Sequence, residues 1–235
     1  MNITAMQQAR AQIEDVLRNA FGWGPRVYYA GSYGKDTMIA AYHDLDIVFY
    51  FPFGTNASLK TIYWDVYHAL TAAGYILQQK DVAIRIPYSA GFSIDVVPGR
   101  AIDATFDYAN LYRSETDSWL QTSIKQHIET IRNSNLRETM KLVKLWNVRH
   151  GLGVRSFALE LLTIRALQGS QVYGHDSKLM AMFAFLRDHM ATIRLVDPAN
   201  TNNIITDAIP HATKKTVVFQ AEKALTAQYW SDIVW

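Results

Sequence analysis

The sequence contains no cysteine, and this absence removes several kinds of chemistry at once. Disulfides, thiolate zinc sites, iron–sulfur clusters and cysteine nucleophiles all need a thiol, so none of them carries the function. The chain also lacks an excess of charge of one sign, because 23 Lys and Arg against 21 Asp and Glu leave a formal net charge of +2. This balance does not favour a chain-wide surface for polyanions, so a stable nucleic-acid partner is not indicated.

Long apolar runs are missing as well. The β-rich segment 45–51 is short and is followed by Pro52, so we expect neither a membrane-spanning helix nor a membrane partner. Residues 1–20 form a helix-like pattern without the apolar core of a signal peptide, which favours a cytoplasmic protein. The length of 235 residues, with 49% hydrophobic and 19% charged residues, fits one large globular domain or two small ones.

Hydrophobic periodicity predicts an α/β first half and a helical second half. Strands and helices of the first half are expected at 3–20 (helix), 26–30 (strand), 45–51 (strand), 57–73 (helix), 82–86 (strand) and 92–97 (strand). Beyond residue 116 we predict only helices, at 117–132, 135–150, 156–168, 176–190 and 213–229. The predicted domains are therefore residues 1–114 and 115–235. The segment 156–168 is apolar nearly all round, which predicts a helix in the middle of a bundle.

Three acidic residues in strand-like segments carry the main chemical signal. Asp44 and Asp46 stand two residues apart, so the period of a strand puts both side chains on one face. Asp95 lies in the apolar run 92–97, where a charge is unexpected unless it is used. If the two strands are neighbours, the three carboxylates converge and can hold two Mg²⁺ ions, or Mn²⁺, because hard cations prefer oxygen ligands.

Such a site suits attack by a hydroxyl on the α-phosphate of a nucleoside triphosphate. One cation lowers the pKa of the hydroxyl, the other neutralises the triphosphate and the departing pyrophosphate, and Asp95 can take the proton. The turn at Gly31 and Ser32 adds a glycine backbone that can approach phosphate, exposed N–H groups and a hydroxyl. A cationic helix face, formed by Arg137, Lys141 and Lys144 at i, i+4 and i+7, is expected to neutralise the triphosphate.

The order Gly31-Ser32, Asp44-x-Asp46 and Asp95 resembles the DNA polymerase β type of nucleotidyltransferase superfamily. Further stretches resemble the branch that contains the 2′-5′-oligoadenylate synthetases, cyclic GMP-AMP synthase and their bacterial relatives, the CD-NTases. These stretches are Ile94–Pro98, Lys141–Asn147, Arg155–Thr163 and Val196–Asn203. The resemblance runs from about residue 28 to the end of the chain.

The resemblance implies an α+β fold: a polymerase β-like nucleotidyltransferase core with a mixed sheet flanked by helices, plus a C-terminal helical bundle, with the active site in the cleft between them. It implies a Mg-dependent enzyme that makes a cyclic or linear oligonucleotide second messenger from ATP, GTP or both and releases pyrophosphate, as in bacterial antiviral signalling. Lys144 and Ser156 match family positions that contact the nucleotide phosphates. A regulatory protein or a second copy of the chain is a compatible partner. Asp36 stands where the synthetases usually have glycine, which adds a negative charge beside the phosphate turn.

Two other enzymatic hypotheses stay open at this point. One is a transferase that adds nucleotides to the 3′ end of an RNA or tRNA, which needs a basic track that the charge of +2 does not favour. The other is a nucleotidyltransferase toxin that modifies protein or tRNA. A nucleotide-binding sensor with an inactive site is disfavoured because all three carboxylates are present.

Overall fold

The computed structural model describes residues 2–88 and 91–234, which divide into two compact units. The first unit comprises the chain up to Lys35 together with His43–Ile128, and the second comprises Asp36–Tyr42 together with the chain from Glu129 onward. The boundary predicted after residue 114 falls inside the first unit, between two paired strands. None of the helices in the described ranges combines the length and the apolar character needed to span a membrane.

The first unit is a mixed sheet flanked by helices, as the fold class predicts. Its elements, in chain order, are α1 (Ile3–Phe21), β1 (Arg26–Tyr29), α2 (Gly31–Lys35), β2 (Asp44–Phe51), α3 (Leu59–Ala72), β3 (Gln78–Gln79), β4 (Ile84–Tyr88), β5 (Phe92–Ala101), β6 (Ala109–Arg113) and β7 (Ser118–Thr122). The next helix, α4 (Ile124–Asn133), begins in the first unit, and its residues from Glu129 onward belong to the second. The seven strands are ordered β1-β2-β5-β4-β3, with β6 pairing with β5 and β7. β2 and β5 are parallel, and the other pairs are antiparallel.

β2 and β5 lie at the centre of this sheet, and beyond the acidic start of β2 the side chains of that strand are apolar on both faces. Ile47, Val48 and Phe49 of β2 are at most 1% exposed, which is typical of a strand that is covered on both sides. α1 buries Ile13 and Leu17, and α3 packs against β5 and α1. The predicted helices 3–20 and 57–73 are confirmed by these two elements.

Residues 117–132 do not form the single helix that the sequence predicts. Ser118–Thr122 is instead a strand that pairs with β6, and α4 begins only at Ile124. The hairpin turn contains Asp117 at φ +48°, and its carboxylate accepts hydrogen bonds from Tyr112 (2.6 Å) and Lys60 (3.0 Å). Pairing with β6 and these contacts of the turn outweigh the helical pattern of the segment, since strand formation depends on the neighbouring strands.

The second unit is built on four further helices around one apolar core. They are α5 (Arg137–Arg149), α6 (Ser156–Leu167), α7 (His175–His189) and α8 (His211–Thr226), and α7 and α8 are separated by β8 (Val196–Asp197), β9 (Asn200–Ile204) and a 3₁₀ turn at Ile205–Ala208. α6 packs against both α5 and α7 and buries most of its length, which confirms its predicted central place. The fully buried rings of Trp146 and Phe183 lie 5.1 Å apart at the α5–α7 contact.

An ion pair lies in the interior of the second unit. The Lys144 ammonium on α5 lies 2.5 Å from Glu160 Oε1 on α6, and the two side chains are 4% and 0% exposed. Thr37 joins them: its hydroxyl donates to Glu160 at 2.6 Å, while Lys144 donates to Thr37 Oγ1 and to the Thr37 carbonyl. The network therefore fixes α5, α6 and segment 36–42 to one another through buried charge.

Removing one charge of this pair should destabilise the protein more than removing both. We expect Glu160→Gln to lower the free energy of unfolding by about 3 kcal/mol, because it leaves the Lys144 ammonium buried without a counter-charge. Lys144→Met combined with Glu160→Gln should recover part of the loss, since the glutamine still accepts from Thr37. Denaturant unfolding measures both, and Lys141→Met, which breaks the more exposed pair with Glu138, should change stability by less than about 1 kcal/mol. Equal losses in the single and double variants would contradict a charge effect.

Candidate active site

The structure brings the three predicted carboxylates to one face of the sheet. β2 begins at Asp44, and the parallel register pairs Asp44 with Ser93 and Asp46 with Asp95. Paired residues of neighbouring strands point to the same side, and residues two apart on one strand do so as well. Asp44, Asp46 and Asp95 therefore share one face, across a strand spacing of about 4.8 Å.

Two cations from the neighbouring part of the sheet contact these carboxylates. Arg85 is opposite Asp95 in the antiparallel β4–β5 register, and it donates from Nε to Asp95 Oδ1 at 2.7 Å. Its Nη2 donates both to Asp95 Oδ2 at 2.9 Å and to Asp44 Oδ2 at 2.5 Å. Lys80 adds a third contact to Asp95, from Nζ to Oδ2 at 3.0 Å. The carboxylates are thus held together by a shared positive charge.

The donor set fits a hard divalent cation once Arg85 moves. As they stand, the His, Asp and Glu side chains of residues 2–88 and 91–234 form no cluster of three or more that could hold a metal ion. At this site the Arg85 guanidinium lies between Asp44 and Asp95. One nitrogen is shared by an oxygen of each carboxylate, so these two oxygens are close enough to share one cation, and carboxylate oxygens are the ligands Mg²⁺ prefers.

Asp46 is the carboxylate whose ionisation is most disfavoured. Burial, together with the negative charges of Asp95 and Asp44, raises the pKa of Asp46 from 3.8 to about 6, although Lys35 and Lys80 act in the opposite direction. Desolvation and like charge both favour the protonated form of an acid. A cation placed among the three carboxylates would oppose both effects by favouring the ionised form, so the site as a whole attracts positive charge.

Gly31 lies directly against Asp46, which explains why glycine stands there. Its φ is +54°, and a Cβ at this position would lie 1.7 Å from Asp46 Oδ2. Any other residue would be strained and would collide with the carboxylate. The backbone holds the two segments together, because the Ala30 N–H donates to the Asp46 carbonyl at 2.8 Å. Ser32 follows in the first turn of α2, which is a short helix rather than the simple turn that the sequence predicts.

Lys144 and Ser156, the other predicted nucleotide-binding residues, both lie in the second unit. Ser156 is the first residue of α6, where helical N–H groups are oriented to bind an anion. Lys144 is committed to the interior pair with Glu160 described above. The rest of the predicted cationic face is also paired, because Arg137 contacts Asp36 and Lys141 lies 2.9 Å from Glu138. A direct contact of Lys144 with phosphate therefore stays a prediction, and the extra charge of Asp36 is balanced by Arg137.

The site contains two cations that the sequence patterns did not single out, Lys80 and Arg85. Arg85 is flanked in β4 by the fully buried Ile84 and by Ile86, and a charge between apolar strand residues is the same signal that identified Asp95. The pattern indicates only that Arg85 lies on the face of the strand opposite to the two isoleucines. Its partners could not have been named, since they depend on which strands pair.

Adding a methyl group at Gly31 should disturb the site through Asp46. We expect Gly31→Ala to lower the free energy of unfolding by at least about 2 kcal/mol, because it combines a positive φ with a collision. Gly151→Ala is the matched control, since Gly151 has φ +59° and nothing lies within 4 Å of the added atom. Thermal and denaturant unfolding compare the two. A Gly31→Ala variant no less stable than Gly151→Ala would show that the approach of Gly31 to Asp46 is unimportant.

The raised pKa of Asp46 predicts how the metal-free stability depends on pH. Asp46 keeps its proton up to pH about 6 in the folded state, whereas the unfolded chain releases it near pH 4. Its ionisation therefore lowers the free energy of unfolding increasingly as the pH rises from 4 to 6, by the full amount above pH 6 and not at all below pH 4. In the presence of a chelator, Asp46→Asn should therefore be more stable than the parent by up to about 3 kcal/mol at pH 8, and the difference should vanish towards pH 4. Unfolding curves at both pH values give this difference. A constant difference across the range would contradict the assignment.

Comparison with known proteins gives one family and a set of similar folds. The model of the Second Messenger Oligonucleotide or Dinucleotide Synthetase domain (SMODS) matches residues 1–135, more than half of the chain. The comparison with curated proteins gives no match. Among solved structures, E. coli CdnC with ATP is similar at a TM-score of 0.73 and 18% identity, over 97% of this chain and 90% of that one.

Two further solved structures have the same fold at low identity. The Bradyrhizobium diazoefficiens CD-NTase CdnG, in complex with GTP, gives a TM-score of 0.77 at 12% identity over 99% of this chain and 89% of that one. Elizabethkingia meningoseptica CdnE, a cyclic dinucleotide synthase, gives 0.68 at 16% identity over 97% and 92%. These likenesses show a shared polymerase β-like fold. Because the family model matches more than half of the chain, the chain belongs to the SMODS family of CD-NTases, which are nucleotidyltransferases.

Proposed function

We propose that Asp44, Asp46 and Asp95 are the metal ligands with which this nucleotidyltransferase makes an oligonucleotide second messenger from nucleoside triphosphates. The observation that carries the proposal is the parallel register that sets Asp46 opposite Asp95, with Asp44 on the same face. The family generally uses divalent metal ions. We propose two Mg²⁺ ions here, with Mn²⁺ as a substitute, because three carboxylates can hold both while water and the triphosphate supply the remaining oxygen ligands.

The chemistry is the transfer of a nucleotidyl group to a hydroxyl. The hydroxyl oxygen forms a bond to the α-phosphorus, the bond from that phosphorus to the bridging oxygen breaks, and pyrophosphate leaves. When bound, the metal ions lower the pKa of the hydroxyl and neutralise the charge on the triphosphate. Asp95, which lies opposite Asp46 in the strand register, is the proposed acceptor of the hydroxyl proton.

The phosphates of the donor nucleotide are proposed to lie on the first turn of α2. Gly31 leaves room for a close approach because it carries no side chain, and Ser32 offers a hydroxyl beside it. Ser156, at the start of α6, is a second proposed phosphate contact. Lys144 would join it only by exchanging its contact with Glu160 for one with phosphate, so its proposed role carries the highest cost in stability.

The proposals for substrate and partner follow from the solved structures that have a similar fold. CdnC was solved with ATP and CdnG with GTP, which supports ATP, GTP or both as substrates of this chain. CdnC was also solved in complex with a HORMA protein, which supports a regulatory protein as a partner, with self-association as the alternative. We propose the cytoplasm as its location, since nucleoside triphosphates are made and kept there, and antiviral signalling as the process it serves.

The test is the product made from four mixed nucleoside triphosphates without RNA. Asp46→Asn and Asp95→Asn should each reduce incorporation at least about a thousandfold, a loss of roughly 4 kcal/mol of transition-state stabilisation. Asp65→Asn, an exposed acid on α3, should leave turnover unchanged. Chromatography with mass spectrometry identifies the product.

Other outcomes of this experiment identify the alternatives. A small cyclic or linear oligonucleotide supports second-messenger synthesis. Incorporation that requires added RNA would instead identify a 3′-end transferase, and labelling of protein or tRNA would identify a toxin. Undiminished turnover in both the Asp46 and Asp95 variants would refute the proposed site.

A further inference from the structure

A guanidinium lies where the proposed function requires a metal ion. Arg85 makes three hydrogen bonds, two to Asp95 and one to Asp44. The side chains of Arg85, Asp44 and Asp95 are only 18%, 17% and 10% exposed. Charge-assisted bonds with a two-point contact are among the strongest that side chains make, and weak access of water strengthens them further.

The backbone holds Arg85 in this position. Arg85 is paired with Asp95 in the β4–β5 register, and Ile84 and Ile86 on either side pair with Val96 and Ile94 in the same ladder. Strand pairing therefore puts the side chains of Arg85 and Asp95 next to each other on one face of the sheet, and the hydrogen bonds hold the guanidinium there. Lys80 differs, because it is 39% exposed and contacts only one oxygen of Asp95. Arg85 is the principal cation of the cluster and Lys80 a secondary one.

We propose that Arg85 is a positioning residue that acts as the resident cation of the metal site: it holds Asp44 and Asp95 together while no metal is bound, and it must leave them before a divalent ion can bind. This inference rests on the proposed function, since it takes the carboxylates to be the metal ligands.

The proposal fixes the sign of the effect of Arg85 on metal affinity. In the wild-type protein, metal binding must break three charge-assisted hydrogen bonds, so the intrinsic affinity of the carboxylates is partly cancelled. Without the guanidinium, Asp44 and Asp95 lose their shared positive charge, although Lys80 still contacts Asp95, and they attract a divalent ion more strongly. A residue that only stabilised the fold, or that helped to bind metal, would give no change or weaker binding.

The test measures Mn²⁺ binding to the full chain at pH 8 in the absence of nucleotide. Free Mn²⁺ is followed by electron paramagnetic resonance during titration of chelator-treated protein. We expect Arg85→Gln to lower the dissociation constant at least about tenfold. Arg85→Lys, which keeps a charge but loses the two-point contact, should bind about threefold more tightly than wild type. Arg18→Gln removes an arginine that is 13% exposed and paired with Glu14 in the same unit, and it should leave Mn²⁺ binding unchanged.

The melting temperature supplies a second readout. Mn²⁺ should raise it more in Arg85→Gln than in wild type, because at one ligand concentration the stabilisation increases with the logarithm of the affinity. If Arg85→Gln does not fold without metal, Arg85→Lys and its Mn²⁺-dependent melting decide the matter.

Asp95→Asn separates the failure of this inference from the failure of the proposed function. If Asp95→Asn weakens Mn²⁺ binding but both Arg85 variants bind with wild-type affinity or less, the carboxylates are the metal site and the role of Arg85 is wrong. If Asp95→Asn leaves Mn²⁺ binding unchanged, the carboxylates are not the metal site, and both proposals are overturned.

Discussion

The parallel pairing of β2 with β5 is the constraint from which the properties of the site follow. It sets Asp46 beside Asp95 and puts Asp44 on the same face, so negative charge is concentrated where neighbouring apolar side chains limit access to water. Like charges at such a place are costly unless a cation lies among them. The protein meets this need in two ways at once: Arg85 and Lys80 neutralise Asp95, and the pKa of Asp46 rises to about 6. The site is therefore balanced without any ligand, and this balance is what a substrate complex has to replace.

The surrounding backbone is adapted to the same carboxylates. Gly31 can have φ +54° and lie against Asp46 because it has no side chain. The turn proposed to hold phosphate and the carboxylate proposed to hold metal are thus in contact, and a change in one displaces the other. This explains in physical terms why the glycine and the acids of β2 occur together. The absence of a side chain at Gly31 leaves the space that the Asp46 carboxylate occupies.

Much of the site could be predicted from the sequence, because its signals are local. Asp44 and Asp46 share a face by the period of a strand, and the isolated charge of Asp95 in an apolar run indicates a functional carboxylate. What could not be predicted depends on pairing between distant segments. Arg85 carried the same signal as Asp95, but its partners follow from the β4–β5 register. The strand Ser118–Thr122 was predicted as helix because its partner β6 is not visible in its own residues. Lys144 was recognised as a cation on a helix, but the sequence does not reveal that Glu160 and Thr37 surround it.

The contrast between Arg85 and Lys144 shows how the same residue chemistry acquires different roles. Lys144 and Glu160 are both at most 4% exposed and form a one-to-one pair, so separating them would leave two buried charges and gain nothing unless a phosphate arrived with its own charge. Arg85 instead faces two carboxylates, Asp44 and Asp95, with Asp46 beside them. Arg85 brings one positive charge to these carboxylates, and Lys80 contacts only Asp95, whereas a divalent ion would bring two charges to the same oxygens. A pair that is neutral by itself serves the fold, whereas a guanidinium shared between two carboxylates is suited to exchange with a divalent ion.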